Sequence, residues 1–390
     1  MQIDFHYYAT YCAAILAGYS HEESLTVCYS AQFVDCCTRT LLSSIGGPGH
    51  AATTQLQLEM MDAKTDLLGL QDITRIWASF HFLPRDLYAD VKGSAFYKAK
   101  YRLLCGPNGD LLVKTVHLAK DKSLQAVGLA MHILADTWAH RYFAGTPSLV
   151  INNTDYWFYE LLSGDDGVFK ERPVNFRHNP GGKDNLETGS YIGTPFQPSE
   201  RSVMCLGHGR AGHLPDYSFM RYKYLPAWGN YEVILKENPN DYYRAFTQMI
   251  YAMKFLRGQS EHFEKDHYDM EAADPYEIEI RRILEKRQLD SSADWKAFGE
   301  KISGQEIPAF DVEKYQEEYR SAAAQDKDDT FLGRFILAAL AQKSMVTNAI
   351  FKSGNLLAGY SIEYKGGPFE GIRDFMLLLR KASEKGGDHE

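Results

Sequence analysis

The chain contains no Cys-x-x-Cys pair, no His-Asp dipeptide and no long uninterrupted apolar run. A membrane-spanning helix needs about 18 or more consecutive apolar residues, so none is expected. Six cysteines in 390 residues, without metal-type spacing, read as reduced core thiols rather than as disulfide staples. Basic surplus is missing too: 42 Lys and Arg face 51 Asp and Glu, giving a net charge of −9. A protein that grips a long nucleic-acid track needs the opposite balance. A small nucleotide or a phospholipid headgroup remains compatible with this charge. The opening residues Met1 to His6 lack a basic leader followed by an apolar core, so the reading is cytoplasmic, with leaderless export left open. Internal repeats and low-complexity segments are absent as well. With 45% hydrophobic residues, the chain can bury a large core in one elaborate domain or two smaller ones.

What stands out against these absences is His132-x3-Asp136-x3-His140. Gly128 is the only breaker between residues 114 and 142, so a helix over 119–143 is predicted. Steps of four drift only about 40° around a helix, which lines the three side chains along one face. Leu124, Val127, Met131, Leu134 and Trp138 form an apolar stripe opposite, while Leu129, Ile133 and Phe143 flank the ligand line. A helix apolar on both sides is covered on both sides. Its His and Asp must then be hydrogen-bonded, paired or bound to metal.

Around this helix the order reads mainly α. Ser20 and Glu23 form a capping-box pattern that starts a helix running to about residue 44, with Asp35 inside it. A short hairpin is expected over 95–117 around Gly106-Pro107-Asn108-Gly109. Residues 145–198, rich in Gly, Pro, Asn and Asp, read as a long ordered loop with one short helix near 154–162. Gly207-His208-Gly209-Arg210-Ala211-Gly212-His213-Leu214-Pro215-Asp216 allows close backbone approach, with Pro215 opening a new helix and His208 weighed as a group behind the ligands. A further helix is expected over 240–268, and the chain divides into a metal-binding helical domain, 1–268, and a helical extension, 269–390, packed on it.

Asp4, His6, Asp35, His81, His132, Asp136, His140, His213 and Asp216 are the candidate ligands, and their order resembles the zinc-dependent phospholipase C and S1/P1 nuclease superfamily. Phe33-Val34-Asp35 resembles that family's first Asp, Phe80-His81-Phe82-Leu83-Pro84 its next His segment, His132-x3-Asp136 its central pair and His213-x2-Asp216 its closing pair. The resemblance covers roughly 1–260 and implies a multi-helix bundle with long ordered loops around a zinc cluster. Four features depart from the pattern. The family uses its mature N-terminal amine as a ligand, a place that Asp4 is read as filling here. His140 follows at x3 rather than x5. Asp35 and His81 are far apart, which leaves His50 or Asp72 as replacements. Asp216 follows His213 at x2 rather than x3.

The resemblance implies hydrolysis of a phosphoester, in a small molecule or a phospholipid headgroup, with one to three Zn²⁺ ions, Mn²⁺ or Fe²⁺ being compatible with the same ligands. Metal coordination lowers the pKa of water from about 15.7 towards about 7. Asp136 is implied as the bridging ligand and Asp35 as a ligand or the group that orients the water. Arg210 and Arg141 are candidates for the phosphate. An apolar rim at Tyr156-Trp157-Phe158-Tyr159 would suit a phospholipase, and Arg201 and Arg210 a nuclease. Two competing readings stand beside this one: a His-Asp-type phosphohydrolase, whose adjacent pair is lacking, and a helical binding or scaffold protein with a closed structural metal site. The sequence leaves the oligomeric state open.

Overall fold

The structure, a computed structural model, describes residues 1–63, 66–154, 157–163, 168–177, 182–193, 205–230 and 232–361. It is mainly helical. A π-helical turn, Asp4–Ala9, continues into α1 (Thr10–Leu16). Next come α2 (His21–Phe33), α3 (Arg39–Ser44), α4 (Gln57–Ala63), α5 (Leu67–Phe80), α6 (Ala95–Tyr101), α7 (Asp110–Ala119) and α8 (Leu124–Ala139). The short α9 (Leu149–Asn152) leads to strands β1 (Phe158–Ser163), β2 (Phe169–Pro173), β3 (Asn175–Arg177), β4 (Ser190–Ile192), β5 (Arg221–Tyr224) and β6 (Ile234–Glu237). The long α10 (Asn238–Leu256) follows, then α11 (Met270–Ala273), α12 (Glu277–Glu285), α13 (Ser292–Ser303), α14 (Gln316–Ser321) and α15 (Phe331–Lys352).

The helix carrying the His/Asp line is central, as expected, but shorter. It starts at Leu124 because Asp121 takes a left-handed backbone, φ 58°, and Ser123 caps the new helix by accepting from the Ala126 amide. Every residue from Gln125 to Ala139 is buried, so both faces are covered. On one side α2 crosses it. A Cβ on Gly128 would lie 2.2 Å from the Val27 carbonyl oxygen, so only glycine allows the two backbones this close. On other sides α10 and α15 complete the shell.

Several local expectations change. The Ser20–Glu23 capping box is present, but α2 ends at Phe33 and a separate α3 begins after Thr38, whose side chain accepts from Leu41. Asp35 therefore sits in the turn between helices and not within one. The hairpin expected over 95–117 is instead α6 and α7, with Ser94 capping the first. The segment read as a long loop folds into strands: β2-β1-β5-β6 form an antiparallel sheet, and β3 pairs with β4 in parallel. The short helix lies at Leu149–Asn152, ahead of the place expected for it. Tyr222 and Tyr224 face an aromatic core with Phe82, Phe143, Phe158 and Tyr191, while Arg221 and Lys223 point outward.

The residues read as an extension share the main core. Trp295 packs edge-on against Phe5, and Ser291 donates to the Asp4 carboxylate at 2.6 Å. All six cysteines are unpaired thiols, five of them buried. Among the described residues, no helix is long and apolar enough to cross a membrane.

Candidate metal centre

Five parts of the chain bring the candidate ligands together. The first turn supplies His6, the turn after α2 supplies Asp35, the C-terminal end of α5 supplies His81, and α8 supplies His132 and Asp136. His140 caps the C-terminal end of α8. From the segment between β4 and β5 come His208, which precedes one short 3-10 turn, and Asp216, the last residue of the next. A Cβ on Gly207 would lie 2.2 Å from the ring of Phe82, which in turn stacks on His140. That glycine lets the His208 backbone close against the site.

The first group is a quartet. His81 Nδ1 lies 3.3 Å from Asp136 Oδ2 and 3.8 Å from Asp35 Oδ1. His132 Nε2 lies 3.2 Å from Asp136 Oδ2, 3.9 Å from Asp35 Oδ1 and 3.3 Å from His81 Nδ1. Ligands about 2.0–2.2 Å from a tetrahedral centre stand about 3.3–3.6 Å from each other. The three separations among His81, His132 and Asp136 thus match the edges of such a tetrahedron to within about 0.1 Å, and the two to Asp35 are a few tenths of an ångström longer.

Tautomers sharpen the point. His81 Nε2 faces the Thr53 carbonyl oxygen at 3.0 Å. A carbonyl only accepts, so that nitrogen carries the hydrogen and the Nδ1 lone pair points into the quartet. Three of the four atoms are then acceptors, and the fourth, His132 Nε2, holds at most one proton. One proton cannot satisfy them all. His132 Nδ1 and His6 Nδ1 are buried without a hydrogen-bond partner; the His6 ring stacks on His132 at 3.8 Å and sets its Nε2 at 3.1 Å from Asp136 Oδ1.

The second group is a trio. His140 Nδ1 donates to the His81 carbonyl oxygen at 2.7 Å and His208 Nδ1 donates to the Gly212 carbonyl oxygen at 2.8 Å. Both Nε2 lone pairs therefore face Asp216 Oδ1, at 3.2 and 3.5 Å. Burial holds the His208 imidazole down to about 4, and burial with the neighbouring His132 does the same for His6. Those rings are neutral near pH 7, the state that binds metal.

Between the groups sits the Met1 amine, 3.0 Å from Asp136 Oδ1, 3.1 Å from Asp216 Oδ1 and 3.1 Å from His140 Nε2. Burial alone would lower its pKa, but Asp136, Asp216 and Asp35 outweigh burial and raise it to about 11. In the same way burial pushes the Asp136 carboxyl up, while His140, the Met1 amine, His132 and His6 together hold it well below the usual carboxylate range. The amine partners Asp136 Oδ1 and the trio.

Three placements correct the sequence reading. Asp4 turns away from the cluster, and its carboxylate accepts from the Ser291 hydroxyl and amide. The amine of Met1 occupies the position that Asp4 was expected to fill. His213 stands at the edge, its ring 57% exposed, with one contact of 3.2 Å to Asp216 Oδ2, and His208 takes the inner place instead. Arg141 is committed to Asp241 at 3.0 Å and lines a different cleft. Asp72 pairs with Arg39, so it is no substitute for Asp35. Arg210 lies in the turn that follows His208. Arg201, Tyr156 and residues 362–390 lie outside the described residues.

No curated protein and no solved structure matches the chain. A family model does match, over residues 1–350, and on that span the chain belongs to DUF6765, a family of unknown function.

Proposed function

We propose that this protein is a metal-dependent phosphoester hydrolase, with Zn²⁺ the best fit to its imidazole and carboxylate ligands. The observation that carries the reading is the triad of His81, His132 and Asp136, whose atoms are spaced as tetrahedral ligands, with Asp35 a few tenths of an ångström further out; the four atoms share at most one proton. Divalent cations bound at such a site polarise phosphoryl oxygens and make water a nucleophile at neutral pH.

The chain's own residues divide the remaining work. Asp136 presents one oxygen to each side, Oδ2 to the quartet and Oδ1 to His6 and Met1, which suits a bridging ligand. Carbonyl oxygens of Thr53, His81 and Gly212 fix the tautomers of His81, His140 and His208, so these rings need no reorganisation to bind a cation. Asp35, 31% exposed, is the quartet member that reaches solvent, which makes its side the approach for substrate. His140, His208 and Asp216 offer three protein ligands, the number that leaves a position open for a reacting group. By family resemblance the substrate class is a phosphodiester or phosphomonoester, as in a phospholipid headgroup or a nucleotide.

A structural-metal reading is supported by the quartet alone, since four protein ligands close a tetrahedral site. One experiment separates the two. Protein purified without added metal is analysed for bound ions and assayed on phosphodiester, phosphomonoester and phospholipid substrates. Bound zinc with turnover of one class is expected. Full occupancy with no turnover of any class would leave the structural reading in its place.

A further inference from the structure

Arg141, a candidate for the phosphate, follows the end of α8 and is paired with Asp241 rather than with the His/Asp cluster. There it shares a cleft of about 470 Å³ with Arg85, Arg244, Trp138, Tyr142 and Trp228. None of the cluster's ligands lines this space. We propose that the cleft is a second binding site, for a small molecule that combines a phosphate-like dianion with a planar ring.

Charge is the first argument. Three guanidinium groups line the cleft against one carboxylate, Asp86, in a chain of net charge −9. Arg141 is held by Asp241 at 3.0 Å and by the Tyr142 hydroxyl. Arg85 and Arg244 make no ion pair among the described residues, which leaves their planar forks for a ligand. A concave, low-dielectric wall focuses that positive charge on an incoming anion.

Ring-shaped surface is the second. The Arg244 guanidinium stands 6.0 Å from the Trp138 ring, and Trp228 stands 6.0 Å from Tyr142 and 5.7 Å from Tyr101. Aromatic walls beside arginine are what a planar anion stacks on. The volume falls within the range of small-molecule sites.

Backbone conformation is the third. Five non-glycine residues have positive φ among the described residues, and two of them, Asn108 at 62° and Tyr142 at 81°, line this one cleft. Such conformations persist only where the surroundings impose them, and they gather at binding sites. Trp228 Nε1 donates to the Tyr142 carbonyl oxygen at 3.2 Å and so helps to hold the Tyr142 ring in the wall.

The test is calorimetric titration of the full chain with phenylphosphonate, which carries both features and cannot be hydrolysed as an ester. Saturable binding is expected, with methylphosphonate weaker. Arg85→Gln and Arg244→Gln, both exposed positions, should each weaken phenylphosphonate about tenfold while leaving the circular dichroism unchanged. A phosphonate can also coordinate metal in the cluster, so Asp136→Asn, which removes that site, should keep the binding that depends on Arg85 and Arg244. The proposal is overturned if the wild type shows no saturable binding, if both arginine variants bind as the wild type does, or if Asp136→Asn alone abolishes binding. Equal affinity for the two phosphonates would overturn the ring-recognising part.

Discussion

Two buried acidic sites in this molecule are built in opposite ways. Glu160 on β1 is 1% exposed and surrounded by donors: Arg172 Nη2 at 2.6 Å, Arg287 Nη1 at 2.5 Å and the Tyr191 hydroxyl at 3.1 Å. Asp136 on α8 is as deeply buried, but its Oδ2 faces the ring nitrogens of His81, His132 and His140. The first is a finished ion-pair network. The second collects acceptors and lone pairs in excess of its protons. Buried carboxylates of the first kind hold a fold, and the second arrangement is the one on which the proposed metal site rests.

The largest effect should come from breaking the second site. His132→Ala and Asp136→Asn should each lose bound metal, read by elemental analysis, and lose phosphoester turnover entirely. The far-ultraviolet circular dichroism should stay near wild type. Retained metal in Asp136→Asn would remove the distinction between the two sites. Breaking the first should do the reverse: Glu160→Gln strands two guanidinium groups and should cost about 3–5 kcal/mol in urea unfolding, with metal content unchanged.

A third buried charge sharpens the contrast. Lys343 on α15 is a cation whose Nζ donates to the His50 carbonyl oxygen at 2.6 Å, and it has no carboxylate partner among the described residues. Burial, with help from Arg39, lowers its pKa from 10.5 to about 7. The unfolded chain therefore binds more protons between those values, and the contribution of Lys343 to stability rises with pH across that window. The slope approaches about 1.4 kcal/mol per pH unit. Lys343→Met should flatten the rise and raise stability at pH 7, as measured by denaturant midpoints at several pH values. Smallest of all should be His21→Ala. His21 opens α2, and its Nδ1 lies 2.7 Å from the Tyr11 hydroxyl. Its loss should cost roughly 1 kcal/mol and leave metal content untouched.

The reach of the sequence follows from how local each signal is. The pair His132 and Asp136 was legible because four-residue spacing on one helix places both side chains together without tertiary help. His208 was visible within its glycine-rich string but was placed behind the ligands. Its inner position depends on Gly207 closing against Phe82, a contact 125 positions away in the chain. Met1 was harder still, since a backbone nitrogen has no residue-type signature. Asp4 looked like the natural substitute until its partner proved to be Ser291. The sheet was missed among Gly- and Pro-rich text. Yet Arg221-Tyr222-Lys223-Tyr224 alternates as a half-buried strand should, and the period of two could have marked β5. The break at 120–123 carried a signal too, in Ser123 as a cap.

Gly128 reads in sequence as a weakness in the central helix. In three dimensions it works as a caliper. The α2 and α8 backbones close upon it, with α2 delivering Asp35 just beyond its end and α8 presenting His132 one turn further along. The opening of the caliper sets the separation between those two ligands, 3.9 Å here, without touching the His81, His132 and Asp136 spacings. A methyl group at residue 128 would force the jaws apart. If the proposed site holds metal, ion size becomes a property of a helix crossing rather than of the ligands: Gly128→Ala should shift preference from Zn²⁺ towards the larger Cd²⁺ in competition measurements, with every ligand still in place.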